Sequence, residues 1–163
     1  MSEPDHVDRI LADWARERPD LDASPIGVIG RLHRLAIRIT EELETVFRRH
    51  GLGEGDFDVL AALRRAGAPY ERRPSELAGH TMVTTGAITK RLDRLESAGL
   101  VRRRASETDG RGRVVGLTTA GLALIDEVLV EHLANEERLL SGLDAGDRAA
   151  LRGLLRRWAD SLD

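Results

Sequence analysis

The sequence contains no cysteine, which excludes disulfides, thiol redox sensing, cysteine nucleophiles and cysteine-ligated zinc. Aromatic residues are scarce at 3%, and together with 33% charged residues this points to a helix-rich chain. No apolar run approaches the roughly 18 residues of a membrane span, and the acidic N-terminus is unlike a signal peptide. The expectation is a soluble, cytoplasmic protein with no membrane partner. The histidines His6, His33, His50, His80 and His132 never fall into an HxxxH or HxxEH spacing, so neither a metal site nor a cofactor is expected. A nucleophile–base pair and a phosphate-binding loop are missing as well, which argues against an enzyme.

What is present is 163 residues with 41% hydrophobic content, enough for one domain or two merged subdomains. The formal net charge of -3 hides a strong asymmetry: residues 64–113 carry twelve basic against six acidic side chains, while residues 1–25 and 114–163 are each acidic by four charges. A basic centre between acidic ends is the electrostatic footprint of a nucleic-acid-binding core set within other structure.

Hydrophobic spacing places a short amphipathic helix over 5–18, with Val7, Ile10, Leu11 and Trp14 on its apolar side and Pro19 as its stop. Ser24-Pro25 reads as an N-cap followed by proline at the first helical position. From there Val28, Leu32, Leu35, Ile39, Leu43 and Val46 form one stripe along a helix ending near His50-Gly51. So long a helix predicts packing across a dimer interface. A third helix carries Phe57, Leu60 and Leu63; a short fourth starts at Pro74; a fifth, capped by Thr84, carries Ile88, Leu92 and Leu95 up to Ala98-Gly99. The period then changes to that of strands over 100–105 and 113–117, around a glycine-bearing tip. Helical spacing resumes after Thr118-Thr119 and again after Leu143-Asp144.

A short helix, a tight turn, an amphipathic helix and a β-hairpin make a winged helix-turn-helix, and the basic segment coincides with it. The fold class expected is therefore mostly α with a small hairpin wing. The lobe spans 51–117, between helical regions 1–50 and 118–163.

On the fifth helix, Leu92 and Leu95 lie within about 40° of Ile88 at 100° per residue, while Gly86, Thr89, Lys90, Asp93 and Arg94 lie about 100° or more away. That outer face suits a major groove: Gly86 permits close approach, Thr85, Thr89 and Lys90 reach towards base edges, and Arg94 towards a phosphate. An ordinary solvated face is the competing reading for the helix alone. At the hairpin tip, Arg111 and Arg113 flank glycine on a protruding ribbon, a disposition suited to the minor groove, with Asp109 able to brace an arginine. The candidate DNA interface thus comprises Thr84, Thr85, Gly86, Thr89, Lys90, Arg94, Asp109, Arg111 and Arg113.

The run SELAGHTMVTTGAITKRLDRLESAGLVRRRASETDGRGRVVGLTTAG resembles the DNA-binding core of the MarR family of bacterial transcription regulators. The matching features are the Glu-Leu-Ala opening, Thr89, Leu92-Asp-Arg-Leu95-Glu, Gly99-Leu100-Val101, Arg104, Asp109-x-Arg111 and Leu117-Thr-x-x-Gly121. The resemblance implies a homodimer joined through its N- and C-terminal helices, binding double-stranded DNA at a pseudopalindromic operator, acting as a repressor and controlled by a small-molecule effector.

Four residues fit poorly as plain structure: Trp14, Asp58 beside Phe57, Arg91 about 60° from Ile88 on the helical wheel, and Arg103, which alternates with Val101 and Ala105. Ordinary roles remain open to each. Trp14 can dock its helix, Asp58 can serve a helix dipole, and Arg91 and Arg103 can form internal salt bridges or reach phosphates. The set is also similar to the Trp, Asp, Arg, Arg set of a urate-responsive MarR subgroup with an added N-terminal helix. That resemblance implies an aromatic or anionic ligand contacted by Trp14 and Arg91, repelled by Asp58, with Arg103 holding the arrangement. His33, beside the stripe of the long helix, reads either as a pH-responsive contact with its symmetry mate or as a structural histidine. A winged-helix protein-interaction module without DNA binding is the alternative function, and the wing arginines and the basic segment argue against it.

Overall fold

The computed structural model describes residues 3–81, 85–105 and 113–162, and only the backbone of Ala78, His80, Thr85, Gly86 and Ala87. The chain divides into two compact units, Met1–Glu42 and Leu43–Asp163.

In the first unit, α1 (His6–Glu17) is opened by Asp5, whose carboxylate accepts from the Val7 and Asp8 amides while Asp8 accepts from the Asp5 amide. This reciprocal cap satisfies amide donors that a helix start leaves orphaned. Asp5 also receives Arg31 at 2.8 and 3.1 Å, and Asp8 receives it at 2.5 Å. Arg31 lies on α2 (Ser24–Arg49), which starts at Ser24 itself, one position earlier than the cap expected there; Asp22 accepts from the Ser24 amide at 2.9 Å. Val7 and Leu11 pack over Gly30 and Gly27, where added Cβ atoms would sit in ordinary contact at 3.6 and 3.5 Å. Trp14, by contrast, is 45% exposed, and Val28, Leu32 and Leu35 of the expected stripe are exposed too.

In the second unit, α3 (Glu54–Arg65), α4 (Pro74–His80) and α5 (Thr85–Ser97) surround a core with the end of α2 and with α6 (Thr119–Leu139). Phe47, Leu60, Leu63, Leu77, Leu92, Leu95, Ile125 and Val128 are fully buried. The helical stripes of Leu60 and Leu63, and of Ile88, Leu92 and Leu95, therefore face inward as their spacing requires. Phe47 and Phe57 stack with ring centroids 4.5 Å apart. The last helix, α7 (Ala145–Asp160), is capped by Asp144, which accepts from the Asp147 amide; Leu151, Leu154 and Leu155 are exposed along it.

The hairpin expected from strand periodicity forms as β2 (Val101–Ala105) and β3 (Arg113–Leu117), antiparallel with Val101 opposite Leu117 and Ala105 opposite Arg113. A third strand, β1 (Glu71–Arg72), pairs with the other edge of β3, giving the order β1-β3-β2. Two residues carry no periodicity, so this strand has no signature in the sequence. At the exit of the wing, Thr118 donates to the Gly99 carbonyl at 2.7 Å and accepts from the Gly121 amide at 3.0 Å. A Cβ on Gly121 would overlap the Leu100 carbonyl oxygen, so only glycine lets α6 start this close to the turn before β2.

Candidate nucleic-acid interface

Helices α4 and α5 sit against α3 and the three-stranded sheet, with Leu77 of α4 and Ile88, Leu92 and Leu95 of α5 buried beneath them. Burial of that side turns Thr89, Lys90, Asp93 and Arg94 to the surface, and all four are exposed. Arg113 is exposed at the start of β3. Thr85 and Gly86 lie in the first turn of α5, and Thr84, Asp109 and Arg111 lie outside the described residues.

Two acidic residues that the sequence does not single out hold this surface in place. Asp56, fully buried in the first turn of α3, accepts from the Gly53 amide at 2.9 Å and ion-pairs with Arg94 of α5. Arg94 is 61% exposed, so its cation stays at the surface while its position is set from within. Glu71, 10% exposed, receives Arg104 at 2.7 and 3.0 Å and lies 3.9 Å from Arg102. Those hydrogen bonds hold the Glu71 carboxyl below its ordinary pKa, so it stays ionised. The link crosses β3 at Gly116, the register partner of both Glu71 and Arg102; a Cβ there would come within 2.6 Å of Glu71 Cγ. Gly116 is bare because the Glu71 side chain passes over it.

Among the four residues singled out for an effector, Arg103 takes the internal salt bridges that were one of its ordinary readings. It meets Glu96 at 3.0 Å and Asp93 at 2.7 Å, both on α5, and its amide also donates to Glu96. The wing strand is thereby tied to the helix it follows. Asp58 is half-buried in α3. Arg91 is half-buried and its guanidinium occupies the space beside Gly55 where any Cβ would overlap it. Among the described residues, neither its buried Nη1 nor Asp56 Oδ1 has a hydrogen-bond partner. A buried guanidinium nitrogen without an acceptor is costly, and an anion placed against it removes that cost.

A positioned helix with a polar outer face, preceded by a short helix and followed by two antiparallel strands, matches the winged helix-turn-helix, the architecture of a class of DNA-binding proteins. Residues 50–112 match the MarR family. Over 151 residues the chain is 44% identical to the HTH-type transcriptional regulator PecS of Dickeya dadantii, covering 93% of this chain and 91% of that one. Among solved structures it is similar to AbsC, a MarR family transcriptional regulator from Streptomyces coelicolor, with a TM-score of 0.78 at 28% identity, covering 87% of this chain and 96% of the other. A mutant MarR from E. coli, solved in complex with operator DNA, superposes with a TM-score of 0.70 at 30% identity, covering 82% of this chain and 92% of the other. The chain belongs to the MarR family, and is a transcriptional regulator rather than an enzyme. Among the described residues, no helix is long and apolar enough to cross a membrane.

Proposed function

We propose that this protein is a repressor that binds a pseudopalindromic operator as a homodimer and is released from it by a small aromatic or anionic effector such as urate. The observation that carries the effector half is Arg91. It belongs to the helix that presents Thr89 and Lys90, yet its own head rests on Gly55 of α3 with Nη1 unsatisfied. An anion that engages Arg91 acts directly on the DNA-reading helix, so binding and release are coupled without a long pathway. Asp58 and Arg103 belong to the same proposed set, and the resemblance to the urate-responsive subgroup adds Trp14.

The DNA half is supported by the exposed face of α5, by the basic segment 64–113 and by the operator complex of the E. coli relative. On this reading Thr84, Thr85, Gly86, Thr89 and Lys90 face the major groove. Arg94 reaches a phosphate, and Asp109, Arg111 and Arg113 serve the wing. The homodimer is supported by the exposed apolar side chains of α2 and α7, which a second copy of the chain would cover.

A gel shift with DNA from upstream of the protein's own gene, with and without urate, tests this. Binding should be dimeric, log affinity should fall by about 0.9 per neutralised phosphate with log salt, and urate should release the DNA. A flat salt response overturns the DNA reading, and DNA binding indifferent to urate and to other aromatic anions overturns the effector reading alone.

A further inference from the structure

His50 follows the last residue of α2, and its ring faces α6, where Glu127 and Glu131 stand one turn apart on the same side. Its Nε2 lies 3.2 Å from Glu131 Oε1 and its Nδ1 lies 4.0 Å from Glu127 Oε1. One ligand atom from each of the three residues falls within 4.8 Å of the others. The ring is only 13% exposed, and Nε2 is buried without a partner in hydrogen-bond geometry, although Glu131 is near. A cation also borders the cluster: Arg49 Nη1 is 3.4 Å from the second oxygen of Glu131. One carboxylate, Glu131, thus faces the buried Nε2 that no hydrogen bond uses among the described residues, while Glu127 stands nearer the other ring nitrogen and completes a three-residue cluster.

We propose that His50, Glu127 and Glu131 form a binding site for a divalent first-row transition ion such as Zn2+. One imidazole nitrogen and two carboxylate oxygens are a ligand set that such ions accept, with metal–ligand distances of about 2.0–2.2 Å for zinc. Ligands at those distances around a tetrahedral ion stand about 3.4 Å apart, so small side-chain rotations close the site, with water completing the shell. The end of α2 adds its negative dipole to the attraction. The ion clamps the α2 terminus to α6 immediately before Gly53 and α3, whose first turn holds Arg94 through Asp56. The five histidines show no metal spacing in the sequence because the second and third ligands come from a different helix.

Titrating the full-length protein with Co2+ and following its visible absorption, with Zn2+ competition and thermal melting in parallel, tests the site. One equivalent per chain should bind, Zn2+ should displace it, and melting should shift upward. His50→Gln and Glu131→Gln should each weaken binding at least tenfold. The exposed Glu127→Gln substitution, which carries little risk to folding, should weaken it measurably, and His132→Gln should leave it unchanged. Failure of the wild-type chain to bind Co2+ overturns the proposal. So does binding that survives His50→Gln or Glu127→Gln at wild-type strength, because the ion then sits elsewhere.

Discussion

Asp56 and Arg94 join the start of α3 to the outer face of α5, a fully buried carboxylate paired with a largely exposed guanidinium. The same carboxylate oxygen accepts the Gly53 amide and so caps α3. One residue therefore starts one helix and fixes a cation on the next. Replacement of Asp56 by alanine removes the cap and leaves the Gly53 donor unsatisfied, a loss of about 1–3 kcal/mol, with most of it assigned to the buried cap because Arg94 is solvated. Asp56→Asn keeps an acceptor and should cost less. Thermal melts of both variants, with operator affinity measured on the folded proteins, check the order.

The Arg91–Gly55 contact separates effector response from stability. Gly55→Ala introduces a Cβ where the guanidinium now lies, and the flexible arginine must move away. Helix propensity favours alanine over glycine by about 1 kcal/mol, so the fold should be as stable as before or slightly more. Release of operator DNA by urate should weaken at least tenfold. A Gly55→Ala protein with wild-type stability and a wild-type urate response removes Arg91 from the effector site.

The wing depends on the ion pair that crosses Gly116. Gly116→Ala places a methyl group 2.6 Å from Glu71 Cγ and should pull the carboxylate off Arg104, destabilising the protein by about 1–3 kcal/mol. A double-mutant cycle of Glu71→Gln with Arg104→Gln should give a coupling of about 1 kcal/mol, modest because Arg104 is more than a third exposed. The pH dependence has a definite sign. Glu71 is held below the ordinary glutamate value of 4.5 when folded. Its contribution is present in full above that value and is lost as pH falls through the lower folded pKa. Glu71→Gln should flatten the acid limb of a stability–pH profile.

Asp5 makes a similar prediction for α1. Arg31 and the Asp8 and Val7 amides hold its pKa down to about 2 from 3.8. The anchoring of α1 to α2 is therefore complete above about pH 4 and lost as pH falls towards 2. Trp14 on α1 reports it: in a Trp158→Phe background, its emission should change over that window, and Asp5→Asn should abolish the acid transition. Emission that tracks only the global melt shows that Arg31 contributes no separate anchoring.

Among the described residues, periodicity together with cap and proline signals in the sequence by itself determined the helices and the paired strands β2 and β3, because side chains three and four apart on a helix, or two apart on a strand, announce their common face locally. Leu60, Leu63, Leu77, Ile88, Leu92 and Leu95 are buried where that rule puts them, and the caps at Thr118 and Asp144 stand where their residue types lead. The same rule turned Thr89, Lys90 and Arg94 outward. Tertiary structure decided what the charged side chains meet. Arg104 finds Glu71 33 residues away in sequence, over a glycine chosen by sheet register. Arg103 turns to Glu96 and Asp93, and Asp56 reaches Arg94 once α3 and α5 have packed. The strand β1 exists only because β3 offers it an edge. Hydrophobic burial is written one residue at a time, whereas an ion pair needs two partners brought within about 3 Å, and only the packed fold sets that distance.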